Sequence, residues 1–268
     1  LVTAFNDDGF VLGTDGFGWV NYGTNTLVAW GWVANGGTTV TNEDGSIDST
    51  VQANTTAGFS IVTYTGNGSA VTVGHGLQVN GVATTPDMFI VKRRNSTSGW
   101  ATFHKDLTNA TQYIQLNSTG GQGTGNNVWN QTDPSSTVFT VGTDLSVNTG
   151  TYVAYCFAEV EGYSKMGTYE GNGGADGTFV YTGFRPAFVM TKSVDSTSAW
   201  EMFDNKREGY NPDNDALTAN TTAVEATADQ IDFLSNGFKL RIATDPNVAE
   251  TYIYMAFAEA PFKYANAR

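Results

Sequence analysis

Two histidines, one cysteine and a scatter of carboxylates are what this 268-residue chain offers for proton or group transfer. A Ser-His-acid hydrolase needs a histidine within hydrogen-bond reach of both a nucleophile and an orienting carboxylate. His75 lies in the glycine turn Val73-Gly74-His75-Gly76-Leu77, and His104 follows Phe103 at the end of an apolar run. Nothing local supplies their partners and neither spacing suits zinc, so both read as structural. Cys156, the sole cysteine, sits inside the apolar run 152–157 and reads as a small buried hydrophobe. A glycosidase needs two carboxylates brought together from separate strands; Glu159 and Glu259 read instead as caps on a core strand at the solvent edge. Asn42-Glu43-Asp44-Gly45-Ser46-Ile47-Asp48 and Asn211-Pro212-Asp213-Asn214-Asp215 cluster oxygen ligands that would suit calcium. Asn and Asp also close turns through their own side chains, and both segments read as such turns. The reading therefore assigns no catalytic residue, no metal and no cofactor. Trp100 and Trp200, at matching positions beside Ser-Thr-Ser loops, are the candidate ligand-binding residues, able to stack on sugar rings if exposed and equally suited to a core if not.

The elements that must position these residues are strands. Thirty-one Gly, abundant Thr, Asn, Val, Tyr and Phe, and only six Pro describe short β-strands joined by tight turns. Asn67-Gly68, Asn80-Gly81 and Asn236-Gly237 mark three of those turns, because both residue types tolerate positive φ. The segment 221–229 is the one place where a turn or a single helical segment is expected. The run from Tyr152 to Ala158 is apolar on both alternating faces, the pattern of a strand covered on each side. No stretch reaches the roughly 20 apolar residues of a membrane-spanning helix, so membrane insertion is not expected. A formal net charge of −13 repels phosphate backbones and argues against nucleic acid as a partner. The start at Leu1 lacks Met and a leader pattern, which reads as a piece of a longer protein, while Pro261–Arg268 reads as its natural end.

Compared with itself, the chain repeats. Gly58-Phe59-Ser60 leading to Tyr64-Thr65-Gly66-Asn67-Gly68 returns as Gly162-Tyr163-Ser164 leading to Tyr169-Glu170-Gly171-Asn172-Gly173. The strand from Pro86 to Lys92, followed by Ser96-Thr97-Ser98-Gly99-Trp100, returns as Pro186 to Lys192 followed by Ser196-Thr197-Ser198-Ala199-Trp200. Phe157-Ala158-Glu159 and Phe257-Ala258-Glu259 close the two copies, and Phe10-Val11-Leu12-Gly13-Thr14-Asp15 matches Phe139-Thr140-Val141-Gly142-Thr143-Asp144. The expected organisation is the end of a preceding module at 1–50 and two full modules at 51–160 and 161–268. The expected class is all-β, with tandem antiparallel β-sandwich modules of jelly-roll or lectin-like type.

Val73-Gly74-His75-Gly76-Leu77, the Pro-to-Lys strands, the run from Thr151 to Lys165 and the run from Gly177 to Pro186 resemble an uncharacterised repeat domain of marine bacteriophage tail-fibre and virion structural proteins. That resemblance covers nearly the whole chain. It implies concanavalin-like sandwiches in a fibre, spike or surface decoration, located on the virion, and brings no catalytic residues. The second copy has Phe179-Val180-Tyr181-Thr182 where the first has His75, so the resemblance implies no shared histidine chemistry. The implied partners are other virion proteins, further copies of the chain, by analogy as a homotrimer, and a host-surface glycan. The alternatives are a carbohydrate-active hydrolase of sandwich fold, with an acid pair in a groove of one copy, and a bacterial adhesin.

Overall fold

The structure is a computed structural model and describes residues 2–6, 9–16, 18, 20–23, 26–34, 37–207, 211 and 215–260. Two compact units divide the chain between Trp32 and Val33. Among its described residues the first contains an antiparallel hairpin, β1 (Val2–Asn6) with β2 (Gly9–Leu12). Beyond it, the Asp15 carboxylate accepts the Val20 amide at 2.8 Å.

The second unit begins with β3 (Val40–Asn42), β4 (Ser49–Asn54), β5 (Phe59–Thr65), β6 (Val71–Gly74), β7 (Gln78–Val79) and β8 (Val82–Ala83). It continues with β9 (Met88–Arg93), β10 (Trp100–His104), β11 (Gln112–Gln115), β12 (Gly123–Thr124), β13 (Val138–Val141) and β14 (Thr151–Phe157). Then follow β15 (Ser164–Glu170), β16 (Phe179–Tyr181), β17 (Pro186–Ser193), β18 (Glu201–Asp204), β19 (Leu217–Thr218), β20 (Ile231–Leu234), β21 (Gly237–Leu240) and β22 (Thr251–Ala258). The class is all-β: no helix occurs among the described residues, and every strand pairing is antiparallel. Segment 221–229 is neither turn nor helix. It runs exposed and irregular, tied down where Ala216 and Ala226 exchange backbone hydrogen bonds, because it has no apolar face to bury.

Two sheet pairs are built in the same order. In the first, an eight-stranded sheet runs β12-β11-β10-β9-β14-β5-β4-β3 and is accompanied by the ribbon β13-β6. In the second, a five-stranded sheet runs β15-β22-β17-β18-β19 and is accompanied by β16-β21-β20. The succession β5-β14-β9-β10-β11 thus recurs as β15-β22-β17-β18-β19. Each pair has its own core: Val62, Phe89, Val91 and Tyr152 with Val73, Phe139 and Val141 in the first; Val189, Phe203, Tyr252 and Tyr254 with Val180, Phe233 and Phe238 in the second. Asn80 (φ 52°) and Gly81 (φ 81°) form the two-residue turn between β7 and β8. Positive φ at both centres matches the strand twist, which is why Asn-Gly serves here.

A further device recurs at the turn that follows β5 and β15. Asn148 is fully buried; its amide donates to Ser69 O (2.5 Å) and Gly142 O (2.6 Å), and its carbonyl accepts Asn67 N at 2.9 Å. Asn247, equally buried, donates to Gly174 O (2.8 Å) and Ile242 O (2.7 Å) and accepts Asn172 N at 3.1 Å. A Cβ on Gly66 or Gly171 would collide with the Asn148 or Asn247–Val248 segment, so both turns require glycine there.

The outer faces of the larger sheets meet. All five methionines lie on outer faces: Met166, Met255, Met190 and Met202 stand opposite one another across β15, β22, β17 and β18, and Met88 sits on β9. Unbranched thioethers fill irregular gaps between sheets well. His104 Nε2 donates to Tyr254 O (3.3 Å), Trp200 Nε1 to Gln115 O (3.0 Å) and Lys192 Nζ to Thr119 O (3.1 Å), and the Phe157 and Phe257 rings lie 6.1 Å apart. This contact corrects the expectation for the closing strands in one respect. β22 is covered on both faces, whereas β14 is covered on its second face only near Phe157, leaving Val153 and Tyr155 half-buried.

Candidate functional site

Reactive side chains are absorbed into structure. His75 is wholly buried; its Nδ1 accepts the Leu77 amide at 3.0 Å and its Nε2 donates to Ser135 O at 3.2 Å. An imidazole that accepts at one nitrogen and donates at the other is neutral, and burial lowers its pKa despite the Ser135 bond. His104 likewise accepts Asp106 N at 3.2 Å, and burial drives its pKa to about 4. The 3.8 Å approach of Asp106 Oδ2 to His104 Nδ1 is therefore no ion pair, since that nitrogen carries no proton. Cys156 is fully buried in the first core, with its thiol pushed up to about 12 by burial.

The two candidate tryptophans occupy matching positions with different surroundings. Trp100 N donates to Asn117 Oδ1 (2.7 Å) and Trp200 N to Asn220 Oδ1 (2.8 Å), so the same asparagine brace holds each. Trp200 is 1% exposed between the two sheet pairs. That placement corrects its candidacy, because a ring with no free face does not stack on a sugar. Trp100 is half-buried, with Lys92 Nζ 5.8 Å from its ring centroid. In the first candidate calcium segment, Asn42 Oδ1 accepts Asp44 N (3.0 Å) and Asn42 Nδ2 donates to Asp44 Oδ2 (3.0 Å), an inward-turned Asx arrangement. Within Asn211–Asp215, residues 212–214 lie outside the described residues, as does the expected terminus 261–268.

Sequence reading missed a polar cluster and an isolated acid. Lys105 Nζ reaches Glu159 Oε1 at 2.7 Å and Asp87 Oδ1 at 3.1 Å, and Glu159 also accepts the Met166 amide at 3.0 Å. Burial works against ionisation of Glu159, but the Lys105 bond and charge outweigh it and hold the carboxyl below its usual range. Glu201 stands opposite Thr191 on β17, at the position of Ala101 in the first sheet pair. Its Oε2 and the Thr191 Oγ1 are buried without a hydrogen-bond partner, and burial, with Asp245 nearby, raises its pKa to about 8. Asp245 accepts the Tyr252 hydroxyl at 2.6 Å.

A groove of about 450 Å³ lies elsewhere. It is lined by residues of β15 and β16 together with Lys105 and Asp106. Phe179 (44% exposed) and Tyr181 (64% exposed) line it together with Lys165 to Tyr169 and Tyr254. Glu201 and Asp245 do not line it. Tyr254 occupies space that a residue other than glycine at 167 would need: a Cβ there would lie 3.0 Å from the Tyr254 hydroxyl. The glycine at 167 was the legible signal, since an isolated Gly within a strand pattern marks a close approach.

Neither the curated proteins nor the solved structures contain a match to this chain. Residues 1–261 match the family described as Domain of unknown function (DUF7483), and the chain belongs to that family.

Proposed function

We propose that this chain is a non-enzymatic structural protein of a bacteriophage virion, of tail-fibre, spike or surface-decoration type, built from tandem β-sandwich modules. The observation that carries the reading is the shared strand order of the two sheet pairs, each with its own core. Two copies of one scaffold, packed through buried outer faces and backbone hydrogen bonds, form a stiff rod element. His104 serves that packing, while His75 and Cys156 are buried within the first pair. The acidic surface keeps such modules soluble at high local density and repels nucleic acid. Its partners are other virion proteins and further copies of itself, as a homotrimer by analogy with fibres. A host-surface glycan is the receptor class, and the part-exposed Trp100 suits it better than the buried Trp200.

Electron microscopy of the native assembly tests this. The expected result is stacked sheet pairs on a particle with several copies around an axis. A free, particle-less monomer that hydrolyses polysaccharide would overturn it.

A further inference from the structure

The two sheet pairs differ most at one edge. In the first, β4 lies against β5, with Thr50 opposite Thr63 and Val51 opposite Val62. The same segment also closes β6: Ser46 Oγ accepts Thr72 N (2.9 Å), Ile47 N donates to Thr72 O (3.3 Å) and Ser49 Oγ donates to Gly74 O (2.6 Å). Residues Gly45 to Asn54 thus seal both sheets along one side, with Val51 in the core and Ile47 packed against it.

The second sheet pair has the same edge and no seal among the described residues. Through their shared partners β14 and β22, Thr63 corresponds to Thr168 and Val62 to Gly167; through β13 and β21, Thr72 corresponds to Phe179 and Gly74 to Tyr181. Gly171 N bonds Glu250 O and Ala258 N bonds Tyr163 O, so the odd-numbered residues of β15 face β22. Ser164, Met166, Thr168 and Glu170 turn their backbone groups outward. Three of these have an outward bond: Ser164 N to Val160 O, Met166 N to Glu159, and Glu170 O from Thr178 Oγ1. Thr168 has none. Thr178 O and Asn236 O accept Leu240 N and Thr182 N, which turns the backbone groups of Phe179 and Tyr181 outward in the same way. These bare groups line the 450 Å³ groove, beside a Tyr254 hydroxyl that makes no hydrogen bond among the described residues. The link from β14 to β15, residues 158–163, is too short to double back as a sealing strand; the first pair uses the whole stretch 40–54 for it.

We infer that the groove between β15 and β16 receives an extended strand from a neighbouring polypeptide of the assembly. The occupant has the chemistry of Gly45–Asn54: hydroxyl-rich, acidic, with β-branched aliphatic residues four apart. Its backbone pairs with Thr168 on one side and with Phe179 and Tyr181 on the other, as β-strand addition requires. At the position of Val62, Gly167 carries no side chain and Tyr254 fills its space, so the occupant meets the Tyr254 ring there. This rests on the reading of the chain as an assembly module, and it deepens that reading by naming the joint.

The probe is a synthetic peptide of residues 40–54 added to the full chain, read by amide hydrogen exchange. At saturation, exchange across Lys165–Tyr169 and Phe179–Tyr181 should slow by about tenfold or more, while Phe59–Thr65 stays unchanged. A scrambled peptide of the same composition should have no effect, and Thr168→Pro, checked for an unchanged melting temperature, should weaken binding about tenfold. No protection by the peptide would overturn the inference, as would protection confined to β5 and β6, equal protection by the scrambled peptide, or protection by oligosaccharides in the peptide's place. Those results leave the assembly reading standing if microscopy shows the particle, so the two fail separately.

Discussion

Placed side by side, the first and second sheet pairs share a strand order and differ in what was added around it. The first carries the extra strands β3 and β4, which satisfy the outward edge of β5; on the corresponding edge of β15, Thr168 has no outward bond among the described residues. Inside, Val62 beside Ala154 becomes Gly167 beside Tyr254, a volume exchange across one strand pair, and Ala101 becomes the part-buried acid Glu201. Lys92 bends back to Ser98 O at 2.8 Å, whereas Lys192 is fully buried and reaches Thr119 of the other pair. The two pairs thus share strand order, turns and cores and differ at their edges and outer faces. Exposed edges are liabilities unless covered, so divergence at an edge has a consequence that divergence on a loop lacks.

The likeness is broken most forcefully at the buried asparagines. Asn148→Ala and Asn247→Ala each orphan several buried backbone groups and should each cost about 3–5 kcal/mol in denaturant unfolding. A loss at one site and none at the other would break the equivalence. Proline at the matched threonines sharpens the difference instead. Thr63→Pro removes a ladder bond inside the eight-stranded sheet and should cost about 3 kcal/mol, whereas Thr168→Pro on the bare edge should cost less than about 1 kcal/mol by thermal melting.

Acid tests the contact between the pairs. His104 has a folded pKa of about 4 against an ordinary 6.5, so the stability it contributes is present above pH 6.5 and is lost as pH falls through about 4. That loss is on the order of 2–3 kcal/mol and should be absent in a folded His104→Asn variant when melting is followed against pH. The smallest effect is expected at Glu201. Its raised pKa means that stability is fully present below pH 4.5 and declines as pH rises through about 8. Glu201→Gln should flatten that decline, a gain on the order of 1–2 kcal/mol at high pH, and the first pair, with Ala101 there, has no counterpart to it.

Strand class and turns were legible because their causes are local. β-Branched and aromatic runs between Asn-Gly turns leave few alternatives to strand, and Asn80-Gly81 adopts the positive φ values its composition suggests. Segment 221–229 was misread since a weakly apolar stretch gives no period to decide on, and one backbone bridge settles it. The stacking candidacy of Trp200 failed for a long-range reason: its burial comes from Gln115, 85 residues away, which no local pattern reports. Glu201 was invisible because an acid near a strand start looks solvent-facing until its register with Thr191 is known. Gly167 was the one local sign of the groove; its open edge emerges only from comparing the described strands of the two pairs.

Native-state hydrogen exchange of the full chain alone tests the comparison most directly, residue by residue along the two matched edges. The account expects the Thr63 and Thr72 amides to be protected by the Gly45–Asn54 segment, and the Thr168, Phe179 and Tyr181 amides to exchange as open edge groups. Equal protection at the two edges would contradict it.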